Sequence, residues 1–257
     1  MAALPERVGA SRVNRFVAQL RETLRRPRRV LNLLDAETRR AFFAQRRLES
    51  FVHAAWTASR SFDLSGVGYG RRHSGNPSEI STKPTTYYPF LAGVAAHTGA
   101  TAVIEIGTHW GGSAVALMRG MLSRHPAPLL VTIDVSTESD NYLPAQPESR
   151  FIRKIVGDAN DLKTVEQVRA LMRKADLVFI DAAHSAKPTL LNTFLYGLLF
   201  KPKVVLLDDI THNESMRAAW AVLRAIYPYQ SVDCATIVPA IRRRQGFGLI
   251  VLDGLNN

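Results

Sequence analysis

The sequence predicts an α/β fold: a Rossmann-like, seven-stranded, mostly parallel sheet with an antiparallel C-terminal hairpin and an N-terminal helical appendage. Three observations predict it. From residue 102 onward short apolar runs alternate with amphipathic stretches, as parallel strands and their crossover helices do. The runs are nearly continuous in Val, Ile and Leu, which suits strands covered by helices on both faces. The last two runs are separated only by residues 239–246, Pro-Ala-Ile-Arg-Arg-Arg-Gln-Gly, with no helical pattern between them, and so predict an antiparallel pair at the sheet edge.

Taken in order, Val13, Phe16, Val17, Leu20 and Leu24 recur at helical spacing, Pro27 interrupts, and Leu48, Phe51, Val52, Ala55 and Trp56 repeat the stripe in a second helix. Residues 61–86 read as a loop punctuated by Gly66, Gly68, Gly70, Gly75, Pro77 and Pro84, of the kind that often forms a lid. A helix is expected over 87–98. Strands are expected near 102–106, 129–134, 151–156, 177–181, 203–208, 231–237 and 247–252. Helices are expected near 112–124, 161–174, 187–199 and 214–226. The division that follows is a basic helical appendage with its glycine-rich loop over 1–77 and a cofactor-binding domain over 78–257.

The 257 residues suffice for a substantial core. Their net charge of +11 is concentrated at one end, because residues 1–60 hold 13 arginines against 5 acids. Such a surface could make a peripheral contact with an anionic membrane, or grip nucleic acid or an acidic substrate; a plain solvated helix face is the alternative. The single cysteine, Cys234, forbids an internal disulfide and points to a reducing, cytoplasmic setting. It sits in a strand-like run and reads as a core residue. No apolar run approaches the roughly 20 residues that span a bilayer, and the first residues lack the block of a signal peptide.

Residues 103–117 carry the most specific signal. An apolar strand ends at Glu105 and Ile106, turns at Gly107, passes Gly111 and Gly112, and enters a helix at Ser113. Glycines there permit a sharp turn and a close backbone approach to a ligand, and the start of a helix favours an anionic group. The spacing is not the dinucleotide fingerprint, because His109 stands where its second glycine would fall. Asp134 closes the next strand, 22 residues after Gly112, where a carboxylate can accept hydrogen bonds from two neighbouring hydroxyls.

Three further acids fall at strand ends, Asp181, Asp208 and Asp209. Neighbouring strand ends lie about 5 Å apart, so these carboxylates would repel unless a cation sat between them. An all-oxygen set suits Mg²⁺ or Mn²⁺ rather than zinc. Consecutive strand residues point to opposite faces, however, so Asp208 and Asp209 can share an ion only if the strand ends between them. A shared metal ion and a capping or salt-bridged role both stay open on this reasoning.

The pattern Glu-x-Gly-x-x-x-Gly-Gly-Ser, with an acid closing the second strand, resembles the first motifs of class I S-adenosylmethionine-dependent methyltransferases. The segments Ile-Asp-Ala-Ala-His-Ser at 180–185 and Leu-Asp-Asp-Ile at 207–210 resemble metal-dependent O-methyltransferases of sugars and natural products and the cephalosporin-hydroxylase-like group. The resemblance implies that Glu105, Gly107, Thr108, Gly111, Gly112 and Ser113 hold the methionine end of S-adenosylmethionine. It implies that Asp134 holds the ribose and Asp158 lies near the adenine. It implies that Asp181, Asp208 and Asp209 hold Mg²⁺ or Mn²⁺ and that His184, in the Asp-x-x-His pattern, is the general base, with His212 and Lys187 weaker candidates. The partner it implies is a hydroxylated small molecule, such as a sugar or glycoconjugate, with a homo-oligomer possible. An RNA methyltransferase using the basic N-terminus, or a non-catalytic cofactor-binding protein, are the competing readings. Against the first, no Asn-Pro-Pro or Asp-Pro-Pro motif and no cysteine pair is present.

Overall fold

Val, Ile and Leu fill the predicted strand positions, and in the computed structural model, which describes residues 35–67, 87–242 and 245–252, they form one seven-stranded sheet. The helix expected around 13–24 and most of the glycine-rich stretch, 68–86, lie outside the described residues. The chain divides into two compact units, Met1–Gln45 and Arg46–Asn257. In the first, Asp35 starts a helix by accepting the Thr38 amide at 2.8 Å. That helix, α1, spans Ala36–Ser59.

The second unit carries the sheet. Its elements after α1 are α2 (Tyr88–His97), β1 (Ala102–Ile106), α3 (Gly112–Leu122), β2 (Leu129–Asp134), three short 3₁₀ turns between 138 and 151, β3 (Ile152–Val156) and α4 (Leu162–Leu171). There follow β4 (Leu177–Ile180), α5 (Ala186–Phe200), β5 (Val204–Asp208), α6 (Glu214–Ile226), β6 (Ser231–Asp233), a one-turn helix α7 (Cys234–Ile237) and β7 (Phe247–Val251). The strand order is β3-β2-β1-β4-β5-β7-β6. Strands β1 to β5 pair in parallel, whereas β7 runs antiparallel to both β5 and β6. This is the Rossmann-like sheet with its antiparallel C-terminal pair that the alternation predicts.

Alternation along each strand feeds two cores. Val103, Leu130, Leu177, Phe179, Val204, Leu206 and Leu249 face α2, α3 and the buried stripe Leu48, Phe51, Val52 and Ala55 of α1. Ile104, Ile106, Val131, Ile133, Val178, Ile180, Val205, Leu207 and Ile250 pack against α4, α5 and α6 on the other side. A sheet so covered turns only its strand ends to solvent, so chemistry has to occur there.

One expected element is shorter than the sequence suggested. The strand expected over 231–237 ends at Asp233, whose Oδ1 accepts the amides of Ala235 and Phe247 at 2.9 Å each. The carboxylate thereby starts α7 and pins it to β7, and Cys234 opens that turn rather than continuing the strand. Cys234 is fully buried, and burial pushes its thiol well above the ordinary range, which leaves it inert as a nucleophile. The 3₁₀ turns were not foreseen. Among the described residues no helix is long and apolar enough to cross a membrane.

Candidate active site

The central strands β1, β4 and β5 lie side by side and bring their carboxyl ends together. Five described non-glycine residues have a positive φ, and four of them, His109, Ala183, His184 and Asp209, follow these three strands. Backbone held in such conformations costs about 1–3 kcal/mol per residue and persists where the surroundings over-determine it, commonly at functional sites. His109, at φ 45°, adopts the left-handed turn that a glycine would take in the dinucleotide pattern, and its amide donates to Asp134 Oδ2 at 2.7 Å.

Above these ends opens a cavity of about 520 Å³. Gly107, Thr108, Ser113, Asp134, Asp158, Asp181 and His184 line it, so seven of the sequence-predicted residues share one wall. Asp134 Oδ1 also accepts the Ser136 amide at 2.9 Å, which fixes the carboxylate at the end of β2. Asp158 closes a local turn through the Asn160 amide at 2.8 Å, and it faces the cavity as well. Ile106, Ile133, Val135 and Ala159 supply an apolar surface. Asn160 and Asn192, also on the wall, each carry a buried Oδ1 without a hydrogen-bond partner among the described residues. Unmet acceptors beside an apolar stretch of the wall suit a ligand with amino or hydroxyl donors on a flat apolar ring, and S-adenosylmethionine meets that description.

Glu105, Gly111 and Gly112 are not on the cavity wall. Gly111 (φ 90°) is the N-cap of α3, and the Leu143 side chain fills the space a Cβ would need there. Glu105 is fully buried behind the loop, at the end of a chain in which Thr108 Oγ1 meets Thr132 Oγ1 and Thr132 donates to Glu105 Oε2, each at 2.6 Å. Its Oε1 has no hydrogen-bond partner among the described residues. Burial, only partly offset by the hydroxyls of Ser113 and Thr132, pushes the carboxyl up to about 8.

A carboxyl raised on folding holds its proton in the native state while the unfolded chain has lost it. Its contribution is therefore fully present below pH 4.5 and is lost as pH rises toward 8. Glu105→Gln is expected to remove this slope and to stabilise the ligand-free protein above pH 8 by a few kcal/mol, on the order of the linkage. Urea titrations of both proteins between pH 5 and 9 check it; parallel stability curves would count against a buried, protonated Glu105.

Beneath the cavity the acids meet a guanidinium. Strand β5 ends at Asp208, and Asp209 (φ 57°) turns left-handed, so the strand does end between the two acids. Arg242 Nε lies 3.2 Å from Asp208 Oδ1, and its Nη2 lies 2.9 Å from Asp209 Oδ1. The same guanidinium sits 4.9 Å over the Tyr87 ring, and Tyr87 donates its hydroxyl to Asp181 Oδ2 at 3.0 Å. His184 stands between Asp181 and Asp209, its Nε2 3.8 Å from the first and its Nδ1 3.7 Å from the second. Burial pushes the carboxyls of Asp181 and Asp208 up, the latter further, and the charges of His184 and Arg242 pull back.

The donor set therefore fits a guanidinium rather than the expected Mg²⁺ or Mn²⁺. Among the described residues no group of three His, Cys, Asp or Glu side chains is disposed to hold a metal ion. Sequence reasoning missed Arg242, Tyr87 and Gln245, whose Nε2 reaches His212 Nδ1 at 3.1 Å. Arg242 and Gln245 fall in the segment read only as a hairpin connection, and nothing in its spacing marks one arginine out.

Residues 104–210 match the family described as a methyltransferase domain. No curated protein matches the chain in sequence. Among solved structures the chain is similar to the cofactor-bound Rv0187 protein from MTB, with 20% identity over 79% of this chain and 89% of that one and a TM-score of 0.52. It is similar to the O-methyltransferase TomG of Streptomyces achromogenes, involved in tomaymycin synthesis and solved with SAM, at 21% identity over 79% and 90% with a TM-score of 0.51. The O-methyltransferase of Bacillus cereus in complex with SAH gives 21% identity over 79% and 91% and a TM-score of 0.52. At these identities the likeness is one of fold.

Proposed function

We propose that this chain, which carries a methyltransferase domain on a Rossmann-like sheet, is an S-adenosylmethionine-dependent O-methyltransferase acting on a hydroxyl of a small molecule. One observation carries the reading: Asp134 and His184 line the same cavity at the strand ends. S-adenosylmethionine, when bound, supplies a methyl group on a sulfonium, already a reactive donor. Asp134 holds the ribose hydroxyls. Asp158 and Asn160 face the adenine, and the Gly107–Ser113 loop with Glu105 behind it holds the methionine end. The apolar residues of the wall exclude water.

The acceptor hydroxyl would lie beside His184, whose imidazole would take its proton as the methyl carbon bonds to oxygen and its bond to sulfur breaks, releasing the demethylated cofactor. The resulting imidazolium stands between Asp181 and Asp209, both within 4 Å. Tyr87 fixes the Asp181 carboxylate from the far side. Hydroxylated sugars and glycoconjugates are the first acceptors to screen, on the resemblance of the motif around His184. The arginine-rich stretch before residue 35, proposed to contact anionic surfaces, lies outside the described residues.

Calorimetry with S-adenosylmethionine, its demethylated product and NAD tests the reading. Micromolar affinity for the first two and none for NAD is expected. Binding of NAD alone would leave the fold and overturn the function.

A further inference from the structure

The paired acids at the end of β5 are buried, Asp208 at 2% and Asp209 at 5% exposure. Three of their four carboxylate oxygens are engaged. Asp208 Oδ1 takes Arg242 Nε and the Asp209 amide, the latter at 2.8 Å. Asp209 Oδ1 takes Arg242 Nη2 and Nε, and Asp209 Oδ2 faces His184, His212 and Gln245.

Arg242 is not a surface arm resting there by chance. Ile241, next to it, is fully buried, and its amide donates to Val238 at 3.0 Å. On the other side Gln245 accepts the Thr211 amide at 2.8 Å, tying the connection to the loop that follows β5. The Tyr87 ring covers the guanidinium. A guanidinium so placed is always charged and holds two carboxylates in a fixed plane. A divalent ion such as Mg²⁺ would instead need oxygens converging at about 2.1 Å on one point.

We infer that Arg242 is the built-in cation of this site: its guanidinium occupies the place between Asp208 and Asp209 that a divalent ion would need, and the chain binds no such ion there. Arg242 is thereby a positioning residue, holding Asp209 against His184. The inference concerns the counter-ion alone, so its readout is ion binding and stands apart from the methyl-transfer reading.

Mn²⁺ titration of the full chain, followed by loss of the free aquo-ion signal in electron paramagnetic resonance, tests it. The wild-type protein is expected to leave the signal intact. Arg242→Ala opens a cluster of unneutralised carboxylates and is expected to take up Mn²⁺ stoichiometrically, with uptake lost again when Asp209→Asn is added. Two results overturn the inference: stoichiometric Mn²⁺ on the wild-type chain that Asp209→Asn abolishes, or a folded Arg242→Ala chain that binds none. Should Arg242→Ala not fold, the wild-type titration decides alone, since binding that Asp209→Asn removes overturns the inference and silence upholds it.

Discussion

His184→Ala is expected to slow methyl transfer by about 10² to 10⁴, the usual contribution of a positioned base, while the affinity for S-adenosylmethionine stays within a few-fold. The loss should fall on kcat rather than on cofactor binding, because His184 follows β4, two strands across the sheet from Asp134 at the end of β2. A control is needed because the backbone at His184 has φ 35° and follows Ala183 at φ 60°. His184→Asn keeps a side chain that tolerates the left-handed region but cannot take the proton. Both variants should be equally slow, and added imidazole should restore part of the rate to the alanine variant. A chain that keeps wild-type turnover with either substitution would remove His184 from the chemistry.

Gly107→Val is expected to cost roughly 3–5 kcal/mol of folding stability, enough to leave a domain of ordinary stability marginal. A Cβ at this position would lie 2.6 Å from the Asp181 carbonyl carbon and closer still to its oxygen, and φ is 102°. The collision is with protein backbone, so β1 and β4 would have to part. Loss of cofactor binding would follow from that displacement rather than from a side chain in the ligand's way. Gly66→Ala isolates the conformational part, since Gly66 has φ 76° but no atom of the described residues within 4 Å of the position a Cβ would take. Chemical denaturation of the two variants should differ by several kcal/mol, mainly the steric part. If Gly107→Val unfolds at nearly the wild-type denaturant concentration, the close passage of β1 and β4 is not as tight as described.

The fold was legible because every central strand is apolar on both faces, so runs such as 129–134 and 204–208 are distinct from the amphipathic helices between them. The error at 231–237 has a local cause. Val232, Ile237 and Val238 read as strand, but the Asp233 carboxylate offers the backbone a turn that alternation does not register. Residues at strand ends were equally legible, Asp134, Asp181 and His184 among them, since topology alone brings such ends to one crevice. Arg242 was not, because its place depends on how far a connection between antiparallel strands folds back over the sheet. Tyr87 was hidden for a similar reason: it precedes a helix on one face yet reaches a strand end, a distance of 94 residues along the chain.

The antiparallel placement of β7 also sets an order of assembly. Asp181, Asp208 and Asp209 leave the ribosome before Arg242, and β5 has no partner on its outer side until β7 arrives. A nascent chain ending near residue 230 thus holds its acids without their guanidinium and one central strand with an open edge, an exposed template for pairing with other chains. Docking of the last hairpin closes the edge and neutralises the acids in a single event. Pairing of the acids with Arg242 and completion of the sheet are, on this account, the same step of biosynthesis.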